Sequence, residues 1–357
     1  MQNRQNNPIK SCSSELLPVP ALPTRLLLDL RTDCNLKCPM CIVHGDTNND
    51  RLKEFLRRSM SLENAREVLD QVMAGKPLVQ PNLWSEPLLA HDLEEHLKAM
   101  KDRGLTVSMN TNGLPLTDKL AKFFIDIKLD SIAFSIDAVT RKTLKKVRGI
   151  DKLEKIHAAV DLMMRMRGQE TLPRIGVTFT IQKINEHERD AFVEYWAPRV
   201  DFVRVGELFE DGRFPGIKPE EPRRPCNSLY TTMAVHTNGN VSICCLDGFG
   251  ETYMGNVFVD GGVKAVWHGE KFTEIRRLHE SNQYEKVPFC VNCDRWLSFD
   301  YEEEIKDGML IRRSAEYTYY NKLEKLGNCG DSLQGTHTLN RKALLQSGVG
   351  SENNWEK

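Results

Sequence analysis

Residues 34–41 read Cys34-Asn35-Leu36-Lys37-Cys38-Pro39-Met40-Cys41. The three thiols stand at spacings of four and three, just after the apolar run Leu26-Leu27-Leu28-Asp29-Leu30. A strand feeding such a loop suits a chain wrapped around a metal centre. Thiolates are soft ligands, suited to iron–sulfur clusters, zinc or copper(I). Three of them can hold three irons of a [4Fe–4S] cube and leave the fourth iron open to a small molecule. Zinc in a structural site takes a fourth protein ligand, and His44 is the residue at hand for that plainer reading.

Outward from this loop, short β-type runs alternate with longer helical ones. Strands are predicted at 25–31, 78–84, 105–110, 131–136, 174–181 and 202–205. Helices are predicted at 61–73, 92–103, 117–127, 152–167 and 187–196. Ser61 and Thr117 each precede an apolar series and read as helix starts. This alternation argues for an α/β fold with a parallel sheet and right-handed crossovers. Periodicity alone does not separate an open doubly wound sheet from a barrel. Either way, chemistry belongs at the C-terminal ends of the strands.

Residues 1–24 carry four prolines among Asn and Ser and read as an extension without a core. The charged loop from Val43 to Arg58 follows the cysteines. Periodicity breaks at 207–225, where Gly212, Pro215, Gly216, Pro219, Pro222 and Pro225 mark a linker. A β-hairpin follows, at 232–236 and 241–245 around Asn238-Gly239-Asn240. Helices are then predicted at 263–267, 270–281 and 315–326, ahead of a polar tail.

The chain has 357 residues, ten cysteines and a formal net charge of −1. Acids and bases are interspersed, with no basic footprint for nucleic acid. No run is long and apolar enough to cross a membrane, and the N-terminus lacks a signal-peptide core. The expected location is the cytoplasm, where cysteines serve metals or catalysis more often than disulfides. Cys12 and Cys329 stand alone. Cys226, Cys244, Cys245, Cys290 and Cys293 form a second set, with Cys290-Val291-Asn292-Cys293 as a knuckle. Four thiolates from a hairpin and a knuckle suit an all-cysteine zinc site or a fully ligated second [4Fe–4S] cluster.

The C-x3-C-x2-C spacing of Cys34, Cys38 and Cys41 is identified as the signature of the radical S-adenosylmethionine (radical SAM) family. The resemblance implies a partial (β/α)6, TIM-like barrel at 25–206 and a small β-hairpin/α auxiliary iron–sulfur domain at 226–298. Residues 207–225 would link them, and 299–357 would form a C-terminal helix and flexible tail. It also implies two [4Fe–4S] clusters and S-adenosylmethionine, with a 5′-deoxyadenosyl radical taking hydrogen from the substrate. Trp84-Ser85-Glu86-Pro87 resembles the family's Gly-Gly-Glu-Pro segment, with Trp and Ser in place of the glycines. Asn110-Thr111-Asn112-Gly113 resembles its Thr-Asn-Gly turn. Ser135-Ile136-Asp137 ends the fourth strand, where a polar group meets ribose or the SAM carboxylate. Met40 stands where an aromatic residue often packs on adenine. Thr178 and Asn185 are further polar candidates.

The second set resembles the shortened auxiliary-cluster module called twitch, related to the larger SPASM domain. It places the second cluster on Cys226, Cys244, Cys290 and Cys293. Alternation along a strand turns Cys245 away from that cluster, toward the substrate, and Asp247 is the nearby candidate base. Among such enzymes the spacing is similar to that of the 2-deoxy-scyllo-inosamine dehydrogenases. The expected reaction is oxidation of a carbinol in a small polar substrate, a carbohydrate or aminocyclitol. A flavodoxin- or ferredoxin-type donor would supply the reducing electron. The rival readings are a redox-neutral epimerase with Cys245 as hydrogen-atom donor, a ribosomal-peptide maturase, and a non-catalytic iron–sulfur or zinc scaffold. Glu207, Arg213, Arg223, Tyr230 and Arg295 are charged or polar groups expected near the mouth.

Overall fold

The computed structural model describes residues 9–11, 18–46, 50–210, 222–299 and 301–326. Cys12, Cys329, Arg213 and most of the 207–225 linker lie outside these residues. Thirteen strands are present among the described residues. They are β1 (Ile9–Ser11), β2 (Arg25–Leu28), β3 (Leu78–Gln80), β4 (Thr106–Thr111), β5 (Ser131–Ser135), β6 (Arg174–Ile181) and β7 (Phe202–Glu207), followed by β8 (Thr232–Val235), β9 (Asn240–Ser242), β10 (Gly255–Asn256), β11 (Tyr301–Lys306), β12 (Met309–Ser314) and β13 (Tyr317–Lys322). Strands β2 to β7 pair in parallel, each with the next, and form the partial barrel.

Strands β5 and β6 are buried over most of their length, as parallel strands covered on both faces are, whereas β4 alternates between buried and half-buried positions. Leu26, Val79, Val107, Ile132, Phe134, Val177 and Val203 belong to one core with the apolar stripes of the crossover helices. The helix Leu62–Val72 buries Ala65, Val68, Leu69 and Val72. Its start is set by Ser61, whose hydroxyl accepts from the Asn64 amide at 3.1 Å. Thr117 starts Asp118–Asp126 in the same way, accepting from Leu120 at 3.2 Å. Such caps satisfy amides left over in the first turn. Two short helices, Asp50–Phe55 and Arg141–Arg148, were not foreseen. No helix among the described residues is long and apolar enough to cross a membrane.

The second module is joined to the barrel sheet. Strand β8 pairs in parallel with β2, and β9 and β10 continue antiparallel. The hairpin turns at Asn238-Gly239-Asn240, as expected. The predicted helix at 315–326 is corrected, because Tyr317–Lys322 is a strand. It runs antiparallel to β7, with Tyr317 opposite Gly206, and β12, β11 and β1 extend the sheet beyond it. Tyr317-Thr318-Tyr319-Tyr320 is aromatic and β-branched, a composition suited to a half-buried pleated surface. A Cβ on Gly206 would stand 2.7 Å from the Tyr317 ring, so glycine is what lets the ring cross β7.

Candidate active site

One cavity of about 320 Å³ opens at the strand ends. Cys34, Cys38 and Cys41 line it with Met40, Ser85, Glu86, Asn110, Asn112, Ser135 and Thr178. The fold therefore gathers these ten residues, from the cysteine loop and the ends of the strands up to β6, around one cavity. Backbone and side-chain N–H groups approach the sulfurs: Leu36 N to Cys34 Sγ at 3.4 Å, His44 N to Cys41 Sγ at 3.3 Å, and Arg148 Nη1 to Cys38 Sγ at 3.9 Å. Burial pushes the Cys34 thiol up to about 12 and raises Cys38 and Cys41 as well. These thiols have donors ready for a thiolate, while burial disfavours an uncompensated negative charge. A cationic iron–sulfide core would offset the thiolate charge, so the residues fit the group the motif implies. His44 does not line the cavity. Among the described residues no group of three or more His, Cys, Asp or Glu is gathered to hold a single metal ion.

Glu86 is the keystone of this rim. Its carboxylate accepts from Thr111 Oγ1 at 2.5 Å, Asn112 N at 2.7 Å and Leu88 N at 3.1 Å. Burial raises its pKa against these three bonds. Asn112 Nδ2 in turn donates to Asn35 Oδ1 at 2.7 Å, tying the end of β4 to the cysteine loop. The Trp84 side chain has its own job. Its Nε1 donates to the Cys245 carbonyl at 2.9 Å, joining the barrel to the second module.

Beneath Ser85 lies Asp29, which accepts from Ser85 Oγ at 3.1 Å and Leu83 N at 3.3 Å. Burial raises its carboxyl pKa to about 7. The folded state thus binds a proton that the unfolded chain gives up near the ordinary carboxylate value. Its stabilising contribution is complete below about pH 4 and is lost as pH rises through about 7. The urea midpoint, measured between pH 4 and 8, is expected to fall over this window. Asp29→Asn should flatten that slope, and an unchanged slope would contradict the assignment.

Asp137 requires a correction. It does not line the cavity. Its backbone is left-handed, with φ 63°, and its side chain is fully buried. Oδ2 pairs with Arg148 at 2.5 Å, and Oδ1 accepts from Thr180 N at 2.7 Å. Asp137 therefore positions Arg148, which does line the cavity and was missed. In sequence Arg148 is one cation in a Lys- and Arg-rich run, with nothing local to single it out. Asn185 is likewise structural: its amide donates to the Asp137 and Thr180 carbonyls, both at 2.9 Å.

The far wall of the cavity comes from β7 and β13, through Arg204, Gly206, Glu207, Glu316 and Tyr317. Of these only Glu207 was foreseen. Burial raises the Glu207 pKa. Arg204 lies 5.3 Å from the Tyr317 ring.

A second, small cavity is lined by Cys226, Cys244, Cys245, Cys290 and Cys293, with Arg223 and Arg295. Cys245 thus lines the same cavity as the other four thiols and is absent from the wall of the larger one. Strand β9 ends at Ser242, so strand alternation does not govern Cys244 and Cys245. Burial pushes Cys290 and Cys293 up to about 12, and the Arg295 amide donates to Cys293 Sγ at 3.4 Å. This donor set also fits a cluster. Asp247 faces its own turn, accepting from Glu251 N, Thr252 N and Thr252 Oγ1 at 2.9, 2.7 and 2.6 Å. It caps that turn instead of reaching the larger cavity. Arg223 and Arg295 were placed near the mouth in sequence; they stand at the second cavity. Tyr230 donates to Glu280 at 2.6 Å.

Comparison with known proteins agrees with this geometry. Residues 31–195 match the Radical SAM superfamily, and residues 226–294 match SPASM, an iron–sulfur cluster-binding domain. A probable GTP 3′,8-cyclase of Saccharolobus islandicus is 29% identical over 181 residues, covering 48% of this chain and 53% of that protein. An Fe-coproporphyrin III synthase of Methanosarcina barkeri is 28% identical over 181 residues, covering 48% and 41%. The chain spans about half the length, or less, of these curated relatives. Among solved structures, BtrN in complex with AdoMet and 2-DOIA is 17% identical with a TM-score of 0.50, covering 76% of this chain and 93% of that one. SuiB of Streptococcus suis bound to S-adenosylmethionine is 14% identical with a TM-score of 0.58, covering 72% and 68%. At these identities the likeness to BtrN and SuiB is one of fold.

Proposed function

We propose that this radical SAM protein, with its C-terminal SPASM-type iron–sulfur domain, oxidises a carbinol of a small polar substrate, a carbohydrate or aminocyclitol. Cys34, Cys38 and Cys41 would hold the cluster that binds SAM, and Cys226, Cys244, Cys290 and Cys293 the auxiliary one. When bound, these groups supply a radical that removes the carbinol hydrogen and an acceptor for the electron left behind. Ser85, Asn110, Asn112, Ser135 and Thr178 would meet SAM, with Met40 against the adenine, where a polarizable thioether packs well. Arg204 and Glu207 would hold the substrate's polar groups, and Glu207 is the nearer candidate for the hydroxyl proton now that Asp247 is engaged elsewhere. The polar wall facing the cysteine loop is the observation that carries this reading. The place of Cys245 supports oxidation over epimerisation, because a thiol lining only the second cavity is poorly set to return hydrogen to a substrate in the first. A flavodoxin or ferredoxin would supply the reducing electron.

The test uses the reconstituted full chain with SAM, a reductant and a panel of aminocyclitols and hexoses deuterated at the carbinol carbon, 2-deoxy-scyllo-inosamine among them. Deuterium in 5′-deoxyadenosine together with a ketone product is expected. An inverted alcohol carrying solvent hydrogen would establish the epimerase instead. SAM cleavage with no deuterium transfer from any of the panel would overturn the carbinol reading.

A further inference from the structure

Both cavities share one ion pair. Arg295 follows the Cys290–Cys293 knuckle and lines the second cavity. Glu316 precedes β13 and lines the first. The two side chains pair, and both residues are buried. Their placement is fixed from several sides. The Glu316 carbonyl accepts from the Glu207 amide at 2.9 Å, so the residue is stitched to the end of β7. The Arg295 guanidinium stands 5.7 Å from the Tyr317 ring and 6.0 Å from the Phe299 ring. Tyr317 is itself seated over Gly206. Arg295 and Glu316 both lie beyond the segments that match the two families, which end at residue 294.

We infer that the Arg295–Glu316 pair sets the reduction potential of the auxiliary cluster and gives the substrate cavity a charged contact with it. Reduction of a thiolate-bound cluster adds one negative charge to an already anionic group. A buried cation beside it favours the reduced form, and an anion opposes it, more strongly inside a protein than in water. Arg295 is the cation on the cluster side. Glu316 both holds that cation in place and offsets part of its field. Arg223 also borders the second cavity, donating from Nη1 to the Cys290 carbonyl at 2.8 Å, and its charge acts in the same direction as that of Arg295. The use of this tuning, an auxiliary site able to accept an electron, rests on the oxidation proposed above.

The test needs no substrate, so its failure and the failure of the carbinol reading are separable. The reconstituted full chain is titrated redox-potentiometrically and followed by electron paramagnetic resonance. Added SAM identifies the signal of the cluster with an open iron, leaving the auxiliary signal assigned. Arg295→Met is expected to lower the reduced-to-oxidised ratio of the auxiliary cluster at fixed potential about tenfold, or about 59 mV for a one-electron couple. Glu316→Gln is expected to raise it. Arg295→Lys and Glu316→Asp, which keep the charges, are expected to stay near the wild type. Opposite signs from the two neutralising variants would not arise from a merely structural tie. Shifts of the same sign, no shift at unchanged iron content, or charge-keeping variants that retain iron but move as far as the neutral ones would overturn the inference. A wild type with no second cluster signal would overturn it too.

Discussion

Replacing Cys34, Cys38 and Cys41 together by Ala is expected to abolish reductive cleavage of S-adenosylmethionine, leaving 5′-deoxyadenosine at background by chromatography. All three thiols line the larger cavity, and each has an N–H group within 3.3 to 3.9 Å of its sulfur. No other cysteine borders that cavity among the described residues. The loss should therefore be complete and should not depend on the reductant. The proposed auxiliary site lies apart, in a second cavity lined by five other cysteines, four of them its proposed ligands. It is expected to keep its iron in the same variant, which separates loss of the first centre from loss of the fold. Cleavage surviving in the triple variant would remove the site from this cavity.

The second large effect is predicted at Asp137. Its carboxylate is fully buried and is the partner of Arg148. Breaking a buried ion pair by removing one partner typically costs about 3–5 kcal/mol, because the remaining charge is left uncompensated. Asp137→Ala should lower unfolding free energy by that order in urea denaturation. The left-handed backbone adds to the cost for Ala, whereas Asn tolerates such a φ. Asp137→Asn should thus isolate the charge and destabilise less than Ala. A release of Arg148 also disturbs the donor beside Cys38, so the Asn variant is expected to load the first cluster poorly. Stability close to that of the wild type in both variants would contradict the role given to this pair.

The reading of the barrel from sequence succeeded where local pattern and tertiary position agree. Apolar runs ending in Ser85-Glu86, Asn110-Thr111-Asn112 and Ser135 carry their own signal, because a strand end that lines a cavity must turn from apolar to polar. Arg148 and Glu316 carry none. One is a cation among cations and the other a carboxylate in a charged tail, and only long-range packing buries them. The strand Tyr317–Lys322 carries a strand-like composition, but its partner, β7, lies more than a hundred residues earlier. Nothing in local periodicity records such a pairing. Cys245 and Asp137 were misplaced for a related reason. The direction of Cys245 rests on strand alternation and the role of Asp137 on resemblance at a strand end, but the chain has left β9 at Ser242 and takes a positive φ at Asp137. Trp84 shows the converse. It looked like a departure from a glycine-containing segment, and the structure gives the indole a partner in the carbonyl of Cys245.

The central claim, two iron–sulfur centres on two separate cysteine sets, is tested most directly by counting iron and acid-labile sulfide in the anaerobically reconstituted chain. The account predicts about eight of each per chain in the wild type, falling to about four in the Cys34/Cys38/Cys41→Ala variant. About four irons with one zinc in the wild type, and only the zinc left in the variant, would contradict it and would remove the electron-accepting second centre.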